Sequence, residues 1–102
     1  MQTEKLSDER LALLAGSGDK AATEALLKRY KNVVLSIARR FFLSGGETED
    51  LVQEGMCGLY SAIGSYTEGK SGFAPYAMRC IRNRIIDAVK SSTGAKNSAL
   101  NN

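Results

Sequence analysis

The sequence predicts an all-α fold: a compact bundle of three long helices plus a short N-terminal one. Three observations predict it. Apolar residues recur at i, i+3, i+4 spacing in three long stretches. No stretch alternates apolar and polar residues as a half-buried strand does. Capping or breaking residues stand at each boundary between the periodic segments.

Residues 1–7 carry no pattern and are expected to be a flexible N-terminus. Ser7 is placed to cap a short helix, with Asp8 and Glu9 in its first turn. Leu11, Leu13 and Leu14 give its apolar face, and Gly16 ends it. Asp19 caps a longer helix reaching Leu43, with Ala22, Leu26, Tyr30, Val33, Val34, Ile37 and Phe41 at helical spacing. Its other face carries Lys28, Arg29, Lys31, Arg39 and Arg40, either simply solvated or a secondary phosphate contact. Ser44-Gly45-Gly46 is a break.

Thr48 caps the third helix, Glu49 to about Tyr66, with Leu51, Val52, Met56, Leu59, Tyr60 and Ile63 as apolar positions. Gly55 and Gly58 lie inside it, and each costs about 1 kcal/mol relative to Ala. That expense is reasonable where another helix packs close. A Gly/Ser loop over Thr67–Gly72 leads to the last helix, Phe73 to Lys90, where Pro75 suits the first turn. Its buried positions are Tyr76, Ala77, Cys80, Ile81, Ile85, Ala88 and Val89. Residues 8–92 are expected to form one domain, and 93–102 a flexible tail without periodicity.

Charge is unevenly placed along the 102 residues, whose net charge is +3. From Glu47 to Glu68 there are five acids and no base; from Lys70 to Lys96 there are six bases and one acid. The first segment suits a basic partner and the second an anionic one. On the last helix Arg82, Asn83 and Ile86 share a face. Arg can bind phosphate or guanine and Asn an adenine edge, so this face reads either as a nucleic-acid surface or as an ordinary solvated one.

Other chemistries are excluded. Gly64–Ser71 fits the pattern GxxxxGK[ST], but a phosphate-binding loop of that kind needs a strand before it and a helix starting directly after it. Here a helix precedes, and Gly72 and Pro75 follow. The chain has no histidine, so no Ser/His or Cys/His catalytic arrangement exists. Asp50 and Glu54 lack the further ligands a metal needs, and no enzyme activity or cofactor is expected. Cys57 and Cys80 are read as reduced thiols in the core or an interface. No membrane span or signal-like segment is present, and the expected location is the cytoplasm.

Two blocks of residues carry a resemblance. Glu49-Asp50-Leu51-Val52-Gln53-Glu54-Gly55-Met56-Cys57-Gly58-Leu59, followed by Gly72–Ala77 and Ile81-Arg82-Asn83, resembles region 2 of the bacterial sigma-70 family, which directs RNA polymerase to promoters. The first block is the more specific, and the resemblance covers roughly residues 8–92. The tail Lys96–Asn102 is similar to the start of the linker in sigma-H-type alternative factors, so the chain is expected to be a fragment lacking region 4. The resemblance implies docking of Asp50, Gln53 and Glu54, with Met56 and Tyr60, on the β′ clamp coiled coil of core polymerase. It implies capture of the melted non-template strand of the −10 element by Phe73, Tyr76 and Tyr66. Arg82, Asn83 and Ile86 would face the upstream edge of that element, and Lys70 would belong to the melting loop. It also allows an anti-sigma factor as a partner.

Three departures stand out. The loop before Phe73 is one residue shorter than in housekeeping factors. Arg79 and Cys80 replace their tandem tryptophans on the DNA side. Asn83 and Ile86 replace their −12-reading pair. The alternative is a sigma-like module that binds a protein partner without initiating transcription; a plain helical domain would require both motif blocks to be coincidence.

Overall fold

The computed structural model describes residues 5–41, 48–69 and 71–101; of Thr48 and residues 92–101 only the backbone is described. Four helices follow in order: α1 (Asp8–Gly16), α2 (Lys20–Phe41), α3 (Thr48–Ser65) and α4 (Phe73–Asn101). Among the described residues there is no strand. The expected break at Ser44–Gly46 and the expected end of α2 at Leu43 lie outside the described residues.

The α1–α2 corner is built from local hydrogen bonds. The Arg10 amide donates to Ser7 Oγ at 3.1 Å and so caps α1. At the other end the Asp19 amide donates to the Leu14 carbonyl and the Gly18 amide to the Ala15 carbonyl, both at 3.0 Å. That is a Schellman closure, and its left-handed residue is Gly18 at φ +100°, not the expected Gly16. Asp19 then turns its side chain forward: Oδ1 accepts from the Ala22 amide at 3.1 Å and caps α2. One residue thus closes one helix and opens the next, which fixes their relative direction without a longer loop.

The core runs through all four helices. Leu11, Leu26, Val34, Leu51, Leu59, Phe73, Ile81 and Ile85 are its largest fully buried side chains. On α4, Phe73, Ala77, Ile81 and Ile85 follow one another at four-residue spacing and are all fully buried. Tyr76 and Cys80, expected on the buried face, are only half-buried, and Tyr60 on α3 is 63% exposed.

Gly55 and Gly58 of α3 sit where neighbouring helices pass closest. A Cβ on Gly55 would lie 2.7 Å from Val34 Cγ1 and 3.0 Å from Ile85 Cδ1. A Cβ on Gly58 would lie 2.8 Å from the Cys80 backbone oxygen and 3.2 Å from Ile81 Cα. The close approach expected from the sequence is therefore present at both positions.

Long-range bonds tie α1 to the rest. Asp8 accepts from Arg29 at 2.9 Å and from the Tyr30 hydroxyl. Glu9 Oε2 accepts from the Phe73 amide at 2.7 Å, so an α1 carboxylate caps the start of α4. The α4 backbone stays helical to Asn101, beyond Lys90 where the apolar repeat ends. Residues 93–101, part of the stretch expected to be a flexible tail, continue the α4 backbone.

Candidate functional site

Two surfaces gather most of the residues singled out in the sequence. The first lies on α3. Asp50 and Gln53 are exposed there, and Glu54 and Met56 are half-exposed. A groove of about 380 Å³ is lined by Gln53, Met56, Cys57, Tyr60 and Ser61 of α3, by Leu27 of α2 and by Arg84 of α4. Gln53, Met56 and Tyr60 are thus brought together as expected. Glu54 stands beside the groove: Arg84 Nε donates to its Oε1 at 2.8 Å, with both side chains close to half exposed. That hydrogen bond, with the carboxylate charge behind it, raises the Arg84 pKa above the ordinary guanidinium value. Asp50 does not line the groove; it sits one turn back, in the first turn of α3 beside Glu49.

Leu27 and Arg84 were not identified from the sequence, because each reaches the groove from another helix. Of the two settings expected for the cysteines, core or interface, Cys57 takes the surface one. It is an exposed groove residue, not a core residue, while Cys80 is half-buried; both are free thiols. Position 57 lies beside the buried Gly58–Leu59 pair but turns to the solvent side of α3.

The second surface lies on α4. Pro75, Met78, Arg79, Arg82, Asn83 and Ile86 line a shallow depression of about 520 Å³. Pro75, Arg79, Arg82 and Ile86 succeed one another at three- and four-residue intervals, so one helix face carries them. The structure brings together the expected Arg79, Arg82, Asn83 and Ile86, and adds Met78, which is 42% exposed. Neither Arg79 nor Arg82 forms an ion pair among the described residues, which leaves both guanidinium groups to solvent or an anion. The α3 groove and this depression share no residue.

Beside the start of α4 is a chain of aromatic rings. Phe73 meets Tyr30 edge to face at 5.5 Å and Tyr66 edge to face at 5.4 Å. Tyr66 meets Tyr76 at 5.8 Å with the rings tilted by 53°. The Tyr66 hydroxyl donates to the Ser71 carbonyl at 2.8 Å, and the Tyr76 hydroxyl lies 2.6 Å from Ser65 Oγ. Partial burial, then the nearby Glu9 and Glu68 carboxylates, raise the Tyr66 pKa.

Phe73 corrects an expectation. Its side chain is 0% exposed, so the ring has no free face for a base; it supports Tyr66 and, through it, Tyr76. Tyr66 and Tyr76 are half-buried, each with part of a ring at the surface. Lys70 lies outside the described residues. The stretch that fits GxxxxGK[ST] begins inside α3 at Gly64 and turns at Gly69, φ +110°, so a helix leads into it. No described helix is long and apolar enough to cross a membrane.

Comparison with known proteins bears on both surfaces. A family model described as Sigma-70 region 2 matches residues 26–94. The chain is 41% identical over 98 residues to the RNA polymerase sigma-H factor of Bacillus licheniformis and, over the same length, to that of Bacillus subtilis. Those alignments cover 95% of this chain but 44% and 45% of the two relatives. The RNA polymerase sigma-K factor of Bacillus subtilis is 38% identical over 82 residues, covering 78% of this chain and 28% of the relative. The chain therefore spans less than half the length of these relatives.

Proposed function

The chain belongs to the sigma-70 family, within its region 2, and on that premise we propose that it joins core RNA polymerase to promoter DNA at the start of transcription, in the cytoplasm. The α3 surface docks on polymerase, specifically on the coiled coil of the β′ clamp. Asp50 and Glu54 supply negative charge there, Gln53 hydrogen bonds, and Met56 and Tyr60 apolar contact. An anti-sigma factor is a natural competitor for the same groove. The α4 surface faces the −10 element: Arg79 and Arg82 toward phosphates, Asn83 and Ile86 toward the upstream base edges. Tyr66 and Tyr76 receive unpaired bases of the non-template strand, and Phe73 holds them in place from below.

The observation that supports this reading is the separation of the two surfaces. A largely apolar groove, flanked by Glu54 and one turn back by Asp50, and a basic, Asn-bearing face occur in one family-matched domain with no lining residue in common. A single solvated helix face would not produce that division of charge.

The energetics fit a domain that works with its polymerase. Taking a base out of the stack costs a few kcal/mol. Stacking returns about 1–3 kcal/mol per ring, and with Phe73 buried only Tyr66 and Tyr76 can return it. Phosphate contacts from Arg79 and Arg82 add a salt-dependent increment. Polymerase must supply the remainder, so the isolated chain binds DNA weakly.

The test measures two variants separately for binding to core polymerase and to single-stranded −10 DNA. Tyr76→Ala is expected to lose capture of single-stranded −10 DNA while keeping polymerase binding. Glu54→Lys is expected to lose polymerase binding while keeping the chain's own weak affinity for DNA. Equal loss of both activities in both folded variants would contradict the two-surface account.

A further inference from the structure

Among the described residues Arg84 is the one cation lining the α3 groove, and its bonding is incomplete. A guanidinium carries five N–H donors in a rigid fork. The Arg84 Nε–H is taken by Glu54 Oε1 at 2.8 Å. Among the described residues no other acceptor meets this guanidinium, and the side chain is 48% exposed, so water serves the remaining donors. Arg84 lines the same groove as the apolar Leu27, Met56 and Tyr60. A partner that covers those residues also strips the water from Arg84.

That arrangement constrains the partner. A guanidinium covered with its donors unmet loses hydration and gains nothing. Glu54 already holds the Nε–H, and Asp87, one turn along α4, adds its charge without a hydrogen bond, which leaves the remaining fork open to an acceptor from the other protein. If that protein presents a helix, its backbone carbonyls are spent inside the helix. A side chain must therefore accept, and a carboxylate matches the fork with two parallel bonds. Nucleic acid is disfavoured as the occupant, because Glu54 and Asp50 repel phosphate and the groove is largely apolar.

We propose that the helical partner of the α3 groove carries an Asp or Glu that pairs with the free N–H donors of Arg84, alongside the basic residue that answers Asp50 and Glu54. The inference rests on the groove being the polymerase-docking surface and adds the chemistry of what docks. It makes Arg84, contributed by the helix whose other face meets DNA, a specificity-determining residue for the protein partner. The pairing is with an acid–base pattern on the partner, not with a uniformly basic patch.

The experiment measures affinity of the full chain for the β′ clamp coiled coil of its polymerase. Wild type, Arg84→Gln, Arg84→Lys and Tyr60→Ala are compared, with circular dichroism confirming helicity. Each exposed Asp and Glu of the coiled coil is then changed singly to the amide. Arg84→Gln is expected to raise Kd about tenfold, with Arg84→Lys in between. One carboxylate change should raise Kd comparably against wild type and add nothing against Arg84→Gln. That non-additivity should persist in a Glu54→Gln background, where an effect acting only through Glu54 would vanish. Full additivity at every carboxylate overturns the inference, as does tighter binding by Arg84→Gln, which would make Arg84 a mere competitor for Glu54. If Tyr60→Ala weakens binding while Arg84 couples to nothing, the docking surface stands and the inference falls. If the folded wild type does not bind at all, the docking surface falls as well.

Discussion

Gly58 faces the backbone of Cys80 so closely that a Cβ on the glycine would lie 2.8 Å from the Cys80 carbonyl oxygen. The contact joins α3, which carries the proposed polymerase groove, to α4, which carries the proposed DNA face. Backbone cannot swing aside as a side chain can. Gly58→Ala is therefore expected to destabilise the domain by about 1–2 kcal/mol, even after the roughly 1 kcal/mol of helix propensity that Ala returns. Gly55→Ala meets side-chain rather than backbone atoms, the Ile85 Cδ1 end and the stiffer, buried Val34 Cγ1, and should cost somewhat less because a side chain yields where backbone does not. Thermal unfolding of both variants checks the order; a Gly58→Ala protein as stable as wild type would contradict the packing.

How much of this was legible in the sequence depends on the range of the interaction. The helices were legible because their signals are local. Ser7 and Asp19 cap as expected, and two glycines inside a helix pointed to a close neighbour before any neighbour was known. The burial of Phe73 was also written in the chain, in its four-residue spacing to Ala77, Ile81 and Ile85. The family resemblance implied a base contact instead. What no local pattern encodes is a bond across the fold. Glu9 meets the Phe73 amide, and Arg84 meets Glu54, only because α1 and α3 both pack against α4.

The Glu9 cap yields a separate prediction. Glu9→Ala leaves the Phe73 amide without its acceptor and should cost about 1 kcal/mol, the usual worth of a helix cap. Glu9→Gln keeps an acceptor oxygen and should lose less. In a domain of this size 1 kcal/mol lowers the melting temperature by roughly 4–8 °C. Equal, negligible shifts in both variants would remove the cap from the account.

Alkaline pH tests the Tyr30–Asp8 contact. Burial first, then the hydrogen bond and charge of Asp8, raise the Tyr30 pKa above its ordinary value. In the unfolded chain this phenol releases its proton near pH 10, before the folded protein does. Above that pH the unfolded state binds fewer protons, so stability falls as pH rises toward the higher folded value. Stability measured from pH 8 to 11.5 should decline at the upper end, and Tyr30→Phe should flatten the decline. An unchanged decline in Tyr30→Phe would assign it to another group.

On the DNA face, Arg82 and Asn83 should fail differently. Arg82→Ala is expected to weaken binding about equally across sequences and to lower the slope of log Kobs against log salt by about 1. Asn83→Ala should leave the slope alone and change base preference, a difference of about 1–3 kcal/mol at one position. Anisotropy titrations of holoenzyme with fork-junction DNA at several salt concentrations separate the two effects. Identical behaviour of the two variants would show that the face makes no base contact.

The most direct measurement is binding of this chain to core RNA polymerase, wild type against Glu54→Lys, with helicity of both confirmed. The account predicts that wild type co-purifies with core enzyme and that the substitution, which reverses the charge beside the groove and breaks its bond to Arg84, abolishes the association. A folded wild-type chain that does not bind, or a Glu54→Lys chain that binds as tightly, would contradict the assignment of the α3 groove to polymerase.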